Sequence, residues 1–452
     1  VLSADEGQQN GSVGDRTTSH AKKTGSPGNA GDADSELDFH VQLGLLSSGM
    51  LTDDGLERAL KNIIGTLTSS PGAGGLATVA AESGAFDGMV DLIEAGAKDP
   101  EASSASLRRS LLAADALYRM AERGGRGAIR ALAFKGAAKA AVDVLRIHSG
   151  DADVAEVMCN LLSTVISREV PSSVQRAHKA GAADALMDVI TAHSMPLVLH
   201  PALMSLAELA MDKGAHEQLV SRDVAKTLAD LMEAHSRSPL VVGAIASLAG
   251  TLASDESDPA LLFALARLGV VRGVIDAVHA FAEHTNVVES SFALIINALD
   301  KEELRSRAIS EWGVVEALVE VMRAGTGEQT TALHVAVANS AAPALAVLAH
   351  FSSEARSRAL DAGIREVLVE LRQRAPRAPG LEQAEMVFES PEQYAAAMRS
   401  RVEEYQREME AQAGVASEGE GHPAETQEEE QTRASESRAS DSSAQVRADT
   451  SN

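Results

Sequence analysis

Three histidines occur at matching places in consecutive segments of the chain. His148, His193 and His235 each end an apolar stretch, and each is followed by serine. Imidazole nitrogens bind metals and titrate near neutral pH, so a regular row of histidines could hold metal or sense pH. The segments are predicted helices, however, and packed helices lie about 8–10 Å apart, too far for neighbouring rings to share one ion. We therefore expect each histidine to hydrogen-bond the last carbonyls of its own helix, at the negative end of the helix dipole.

The sequence contains no recognisable motif for catalysis. The single cysteine, Cys159, lies in an apolar stretch typical of a buried helix face, and one cysteine excludes an internal disulfide. The glycine-rich run at residues 72–77 fits a loose dinucleotide fingerprint, but no predicted strand precedes it. We find no nucleophile elbow, no His-Glu-x-x-His zinc motif and no Cys-x-x-Cys pair. The sequence thus predicts a protein that is not an enzyme and that uses no cofactor, no metal and no small-molecule substrate.

Charge and hydropathy narrow the class of partner. The chain carries a net charge of −25, most of which lies towards its two ends. The mildly acidic middle makes nucleic acid an unsuitable partner, because phosphate backbones require basic surfaces. Residues 238–254 and 329–353 contain no Asp, Glu, Lys or Arg, but the first is short for a membrane span and polar residues such as Asn339 interrupt the second. We expect buried helices there, no membrane insertion, and a cytoplasmic or alternatively nuclear location.

One motif recurs along the chain at intervals of roughly 41 to 52 residues, a period typical of helical solenoids. In its clearest copy, Gly181 introduces Ala-Ala-Asp-Ala-Leu-Met-Asp-Val-Ile. The other copies align on Gly84, Gly136, Arg222, Gly269, Gly313 and Gly363. The pattern predicts a short helix before each of these anchors, an amphipathic helix after it, and a third, more apolar helix before the next. We expect the glycine to turn the chain sharply between the first two helices.

The segments on either side of the repeats differ in composition. Residues 1–34 are rich in Gly, Ser, Asp and Asn, which predicts disorder. Ser390 and Pro391 are typical of a helix start. The predicted organisation is a disordered segment (1–34), an N-terminal helical cap (35–75), the repeats (76–375), a C-terminal helix that packs as a lid or docks a partner (376–411), and a disordered acidic tail (412–452).

The sequence after Gly181 and the third-helix sequence Val-Ala-Glu-Val-Met-Cys-Asn-Leu-Leu at 154–162 resemble the armadillo repeat. The resemblance recurs seven times and covers about two thirds of the chain. It implies an all-α fold, an armadillo-like right-handed α-solenoid of about seven repeats, in which the third helices line a concave groove. It also implies that a partner protein or an extended peptide binds in that groove.

The resemblance also implies which residues form the groove. In armadillo peptide binders an asparagine near the end of the third helix holds the ligand backbone, because an amide supplies both a donor and an acceptor. Asn160 matches this position well and Asn297 less well. Arg119 and Glu208 are aligned with it in two other repeats, and Glu156 stands one turn before Asn160, where importin-α-like carriers have tryptophan. The alternative, in which Asn160 bonds a neighbouring loop and binds no partner, stays open.

These patterns favour a non-catalytic scaffold or adaptor that binds a partner protein or an extended peptide along the groove. The alternative is a structural subunit of a large cytoskeletal, axonemal or organellar complex, in which the convex face and the ends would make the contacts. Both interpretations describe an interaction protein, because stacked helical repeats build a large surface.

Overall fold

A computed structural model describes residues 30–48, 50–69, 79–80, 83–98, 104–254, 259–327 and 330–400, together with residues 403 and 407. Within these ranges the regular secondary structure is helical, and no strand occurs. The chain divides into an N-terminal unit that ends at Ala215 and a C-terminal unit that begins at His216. Of the predicted disordered segments, residues 1–29 and 412–452 lie outside the described residues, whereas residues 30–34 are helical.

The N-terminal unit begins with two helices at the place of the predicted cap, α1 (Ala30–Ser48) and α2 (Asp53–Ser69). The helices that follow are α3 (Ala85–Lys98), α4 (Ser104–Lys135), α5 (Ala137–His148), α6 (Ala152–Val165), α7 (Pro171–Lys179), α8 (Ala182–Ala192) and α9 (Pro196–Leu209). Gly125, at a φ of 56°, kinks α4 and separates the third helix of one repeat from the first helix of the next. The next helix, α10 (Lys213–Ser221), spans the boundary between the two units.

The C-terminal unit continues the same order of helices. They are α11 (Val224–His235), α12 (Pro239–Leu252), α13 (Ala260–Arg267), α14 (Val270–Ala280), α15 (Thr285–Asp300), α16 (Glu302–Ser310), α17 (Val314–Ala324), α18 (Ala332–Phe351), α19 (Ser353–Asp361), α20 (Ile364–Arg374) and α21 (Pro379–Glu389). A further helix begins at Pro391, as Ser390 and Pro391 predict.

In each unit the helices pack side by side in two rows. In the N-terminal unit, α1, α3, α5 and α8 form a row of second helices, and α2, α4, α6 and α9 form a row of third helices. In the C-terminal unit the corresponding rows are α11, α14, α17 and α20, and α12, α15, α18 and α21. Each second helix also packs on the third helix of its own repeat, so the two rows share a continuous apolar core. The prediction of an all-α solenoid is therefore confirmed within each unit.

The turn at each repeat anchor has a left-handed backbone. Gly136 and Gly181, for example, have φ values of 84° and 80° and directly precede α5 and α8. At the anchor that lacks glycine, the residue in this conformation is Asp223, at a φ of 55°, and not Arg222 as the alignment of the repeats predicted. Aspartate tolerates the left-handed region better than arginine does, because its short side chain can hydrogen-bond locally. The register of this repeat is therefore shifted by one residue.

The seventh repeat ends later in the chain than the sequence indicated. α21 packs on α18 and on α20, so it is the third helix of that repeat. Like α9 and α12, it has proline at its first position, which is typical of a helix start. The repeats thus extend to Glu389 rather than to residue 375. The helix after them packs as a lid at its start, because Tyr394 is 3% exposed and its ring lies edge-on to His350, 5.2 Å away.

One helix among the described residues, α18, is long and apolar enough to cross a membrane, with a mean hydropathy of 1.6 over an 18-residue window. The core helix of a stacked repeat passes the same length and apolarity test. α18 packs on α15, α17 and α21. Packing within the C-terminal unit is therefore sufficient to explain its composition.

Glycines bring the third helices of the C-terminal unit close together. A Cβ atom on Gly250 of α12 would lie 3.0 Å from the Cβ of Ala293 on α15. A Cβ atom on Gly380 of α21 would overlap the backbone oxygen of Asn339 on α18. Small residues thus set the spacing of this row.

Candidate functional site

The candidate site lies on the face of the third-helix row that remains after both neighbours and the second helix are packed. On α6 the buried residues are Val154, Ala155, Met158, Cys159, Leu161, Leu162 and Val165. Glu156 and Asn160 lie between them, half-buried and one turn apart. On α9 the half-buried residues are His200, Met204 and Glu208, again one turn apart. These positions form a stripe along each helix, because residues four apart share a helix face.

The two stripes can be placed side by side. α6 and α9 are both 14 residues long and pack against each other. A residue on α6 is therefore level with the residue 44 positions later on α9, which pairs Glu156 with His200 and Asn160 with Met204. Glu208 lies one turn further along, so it is not the equivalent of Asn160 as the sequence alignment indicated.

Asn160 offers a free amide on this face. Its backbone oxygen accepts hydrogen bonds from the hydroxyls of Ser163 and Thr164, at 2.9 and 3.3 Å. Its side chain has no hydrogen-bond partner among the described residues. Within those residues the amide therefore bonds no neighbouring loop, and its donor and acceptor are available to a ligand.

Glu156 and His200 are also without hydrogen-bond or ion-pair partners in the described part of the chain. Burial lowers the pKa of His200 below its usual value. The imidazole ring is consequently neutral near pH 7, since burial disfavours the charged form. His200 therefore does not compensate the charge of Glu156 on the neighbouring helix.

Arg119 lies on the corresponding face of α4, but its guanidinium is already bonded to other residues of the chain. Its Nε lies 3.0 Å from a carboxylate oxygen of Asp115, one turn earlier. Another guanidinium nitrogen donates to the hydroxyl of Thr68 on α2, at 3.2 Å. Arg119 thus links two third helices, and a ligand would have to compete for its donors.

Both carboxylate oxygens of Glu208 are hydrogen-bonded within the chain. It is 16% exposed, and its carboxylate accepts hydrogen bonds from the backbone N–H and the Nε of Arg168, at 2.6 and 2.8 Å. This pair closes the turn between α6 and α7. Glu208 therefore acts within the fold, next to the free groups of α6.

Asn297 belongs to the C-terminal unit, and its amide is bonded within the chain. Its side-chain nitrogen lies 3.5 Å from the backbone oxygen of Gly250 on the neighbouring third helix. The surrounding row is largely uncharged and exposes apolar side chains, among them Leu240 and Ile296, the latter 53% exposed. Asn297 thus links adjacent repeats on a mainly apolar surface.

The row of histidines links repeats as well. His148 lies 3.4 Å from the backbone oxygen of Gly96, and His193 lies 2.6 Å from that of Ser149. Both carbonyls belong to the preceding repeat, and not to the histidine's own helix as the sequence predicted. Among the described residues, no group of three or more His, Cys, Asp or Glu side chains could hold a metal ion.

Cys159 lies directly beneath the site, fully buried, and burial raises the pKa of its thiol to about 12. A thiol in this state is not a nucleophile at neutral pH, because the thiolate is the reactive form. Its place is in the core between the two rows.

A cavity of about 480 Å³ opens to solvent in the C-terminal unit, between the ends of α14 and α17. His279, His284, Glu320 and Arg323 line it. Arg323 bonds Glu320 and the backbone oxygen of Ala362. The main cation of this cavity is thus used to tie one repeat to the next.

Comparisons with known proteins add a structural neighbour. No family model matches the chain, and no curated protein matches it in sequence. Among solved structures, the chain is similar to one described as a conserved phosphorylation switch that controls the interaction between cadherin and β-catenin. The match has 15% sequence identity and a TM-score of 0.48, and it covers 70% of this chain and 55% of the matched chain. The assignment of the fold therefore rests on the order and packing of the helices described above.

Proposed function

We propose that this chain is a non-catalytic, armadillo-like scaffold or adaptor that binds an extended segment of a partner protein along the third-helix row of its N-terminal unit. The observation that carries the proposal is the state of Asn160, whose amide faces solvent with no partner in the described residues. Glu156, one turn away, is in the same state. The other polar groups predicted for the groove, Arg119, Glu208 and Asn297, have partners within the chain.

An extended peptide suits this surface for a simple reason. Every non-proline residue of a peptide carries one backbone donor and one backbone acceptor. A primary amide such as that of Asn160 can satisfy both at once. Specific protein interfaces bury about 800 Å² on each partner. One amide covers only a small part of such an area, so neighbouring repeats would supply the rest. Met204 on α9, for example, supplies apolar contact beside the amide.

The proposed location is the cytoplasm, or alternatively the nucleus. A single buried cysteine suits a reducing compartment, in which disulfides are rare.

A second candidate function is a structural subunit of a large assembly. The observation in its favour is that large apolar side chains are exposed outside the third-helix row. Phe134, at the end of the first-helix part of α4, is 57% exposed and has the guanidinium of Arg176 4.5 Å from its ring centre. Val369, on the second helix α20, is 60% exposed. Such residues would contact a neighbouring subunit on another face of the repeats.

Selection from a random-peptide display library on the immobilised full-length protein tests the scaffold function. We expect the wild-type protein to enrich a set of peptides, and Asn160→Ala to lose most of them while its thermal unfolding midpoint stays unchanged. Gln373→Ala is the matched control, because Gln373 is an exposed amide on the second helix α20. A wild-type protein that enriches no peptides, or an Asn160→Ala variant that retains them all, would contradict the proposal.

Size-exclusion of a native extract separates the two candidates. A stable large complex that survives Asn160→Ala favours the subunit, because its contacts would lie elsewhere. A monomer that captures peptides favours the scaffold.

A further inference from the structure

Two neighbouring first helices of the N-terminal unit carry positive charge that is not balanced within them. The first-helix part of α4, residues 126–135, and α7 contain five Lys or Arg residues and no Asp or Glu. The first helices α16 and α19 of the C-terminal unit contain two basic and two acidic residues each. Since α4 and α7 pack against each other, the five cations lie on one surface, outside the rows of second and third helices.

Three of these cations have no partner in the part of the chain that the structure describes. Arg130 on α4, and Arg176 and Lys179 on α7, are exposed. None of the three makes an ion pair or a hydrogen bond with a described residue. Three positive charges are therefore available on two adjacent helices.

Carboxylates of other segments approach the same helices, but they have partners of their own. They are Glu169, 2.5 Å from Arg126; Asp87, 2.8 Å from Lys135; and Asp212, which accepts a hydrogen bond from the backbone N–H of Ala215 and lies 3.9 Å from His178. These contacts leave Arg130, Arg176 and Lys179 without a compensating charge.

An exposed aromatic ring lies among the three cations. Phe134 is 57% exposed, and the guanidinium carbon of Arg176 is 4.5 Å from its ring centre. Arg130 precedes Phe134 by four positions and shares its side of α4. Lys179 follows Arg176 by three positions and shares its side of α7. We call these four residues the basic patch.

We propose that the basic patch is a second binding surface, which takes a segment of a partner protein that carries aspartate or glutamate beside an apolar residue. Arg176 makes no hydrogen bond, so its guanidinium can bind a carboxylate through two parallel bonds. The Phe134 ring supplies the apolar contact, and Arg130 and Lys179 add attraction for an acidic segment. The inference goes beyond the proposed scaffold function, because it needs neither Asn160 nor the third-helix row.

The charge of the whole chain favours a short acidic segment over a larger polyanion. The chain carries a net charge of −25. An anionic bilayer or a nucleic acid would extend beyond the basic patch, and the rest of the chain would repel its phosphates. A segment of a few residues contacts the patch alone.

Display selection in the Asn160→Ala background gives the first test. We expect this variant to enrich peptides with aspartate or glutamate, and Asn160→Ala/Arg176→Gln to lose them with an unchanged thermal unfolding midpoint. The control adds Arg267→Gln instead, because Arg267 is exposed on the first helix α13 and has no ion-pair partner among the described residues. It should retain the acidic peptides.

The outcomes separate this inference from the scaffold function. Acidic peptides that are lost with Asn160→Ala alone, or a selection without acidic peptides, would overturn the second surface and leave the scaffold function in place. Loss of the acidic peptides in both double variants would also overturn it. A wild-type protein that enriches no peptide would overturn both.

A binding measurement gives the second test. One enriched acidic peptide and its Asp/Glu→Asn/Gln analogue are labelled, and their Kd values are measured by fluorescence anisotropy at low and at raised salt. We expect Arg176→Gln to weaken the acidic peptide about tenfold and the analogue by much less, and raised salt to weaken the acidic peptide. Arg176→Lys should restore only part of the affinity, because lysine keeps the charge but not the two-bond geometry. Equal losses for Arg176→Gln and Arg267→Gln would overturn the assignment of Arg176.

Two further probes distinguish a peptide from a larger polyanion. Vesicles of phosphatidylcholine and phosphatidylserine are tested by co-sedimentation, and a single-stranded oligothymidylate is tested by anisotropy. We expect the wild-type protein to bind neither. Binding to either probe that Arg176→Gln abolishes, without enrichment of acidic peptides, would overturn the proposed partner.

Discussion

Glu208 on α9 accepts a hydrogen bond from the backbone N–H of Arg168, at 2.6 Å, and a second one from the side chain of the same residue, at 2.8 Å. The carboxylate of one repeat thus fixes the turn that follows the third helix of the preceding repeat.

The first prediction is that the bond from the backbone N–H contributes more to stability than the bond from the Arg168 side chain. Glu208→Ala should lower the free energy of unfolding by about 1–3 kcal/mol, because it leaves a backbone donor without its charged acceptor. Arg168→Ala should cost only about 0–1 kcal/mol, because the Arg168 side chain is largely exposed and the bond from the backbone N–H remains. Urea unfolding of both variants measures the difference. A larger loss for Arg168→Ala would show that the side-chain pair, and not the turn, is the important contact.

The second prediction concerns the left-handed anchors. Gly269 has a φ of 88°, and a Cβ atom there would meet nothing within 4 Å. Gly269→Ala should therefore cost about 1–2 kcal/mol from backbone strain alone. Asp223→Gly should be neutral or stabilising, whereas Asp223→Val should destabilise, because a branched side chain tolerates this conformation poorly. Thermal and urea unfolding measure all three, and a Gly269→Ala variant as stable as wild type would contradict the role of the backbone.

The third prediction concerns Cys159. A thiol-specific disulfide reagent at pH 8 should fail to label the native protein and should label it fully in urea, because burial raises the pKa of the thiol to about 12. The pKa is higher in the folded state than the value of about 8.5 in the unfolded chain. The stability contributed by this group is thus complete below about pH 8.5 and falls as the pH rises towards 12. Rapid labelling of the native protein would contradict the burial.

The fourth prediction concerns the last repeat. Gly380→Val should push α21 away from α18, because its side chain would overlap the backbone oxygen of Asn339. Limited proteolysis should then cut near residues 375–378 in the variant and spare the wild type. The control is Gly327→Val, because Gly327 is exposed and a Cβ atom there would meet only the Thr330 hydroxyl, at 3.4 Å. Equal protection of wild type and Gly380→Val would show that α21 does not need this close approach.

The fifth prediction concerns the core between the two rows. Leu186 of α8 is fully buried. Leu186→Ala should cost about 2–5 kcal/mol, because it removes buried apolar area and leaves a cavity. Hydrogen exchange should quicken in α8 and in the helices packed on it, since neighbouring repeats share their stability. A loss confined to one helix would show that the repeats are stable independently.

The positions of the helices were predictable because each repeat carries its own local signals. A glycine that needs a left-handed turn, followed by apolar residues at helical spacing, identified six of the seven anchors. The left-handed conformation of Asp223 was not predicted, because aspartate is common in helix turns and at helix starts. Its residue type alone did not distinguish it from Arg222. α21 was not predicted to be part of the seventh repeat, because the motif was aligned on the glycine. The third helix of a repeat is marked only by apolar residues and by its first proline.

The site was less predictable, because pairing depends on residues distant in sequence. Asn160 and Arg119 are equivalent by their place in the repeat, yet the amide is free and the guanidinium reaches Thr68, 51 positions earlier. His148 likewise contacts a carbonyl 52 positions earlier. Local spacing indicates which face a side chain occupies, and only the stacked repeats show what it meets there.

The charge on the exposed side of α21 affects whether two copies of the protein can stack on each other through this helix. This helix covers α18 at the end of its row, and its exposed residues include Glu382 and Glu389. An uncovered apolar helix at that place could stack on another copy and start a growing fibre. The carboxylates repel one another when two such ends approach. Negative charge on α21 therefore disfavours the stacking of two copies through this helix.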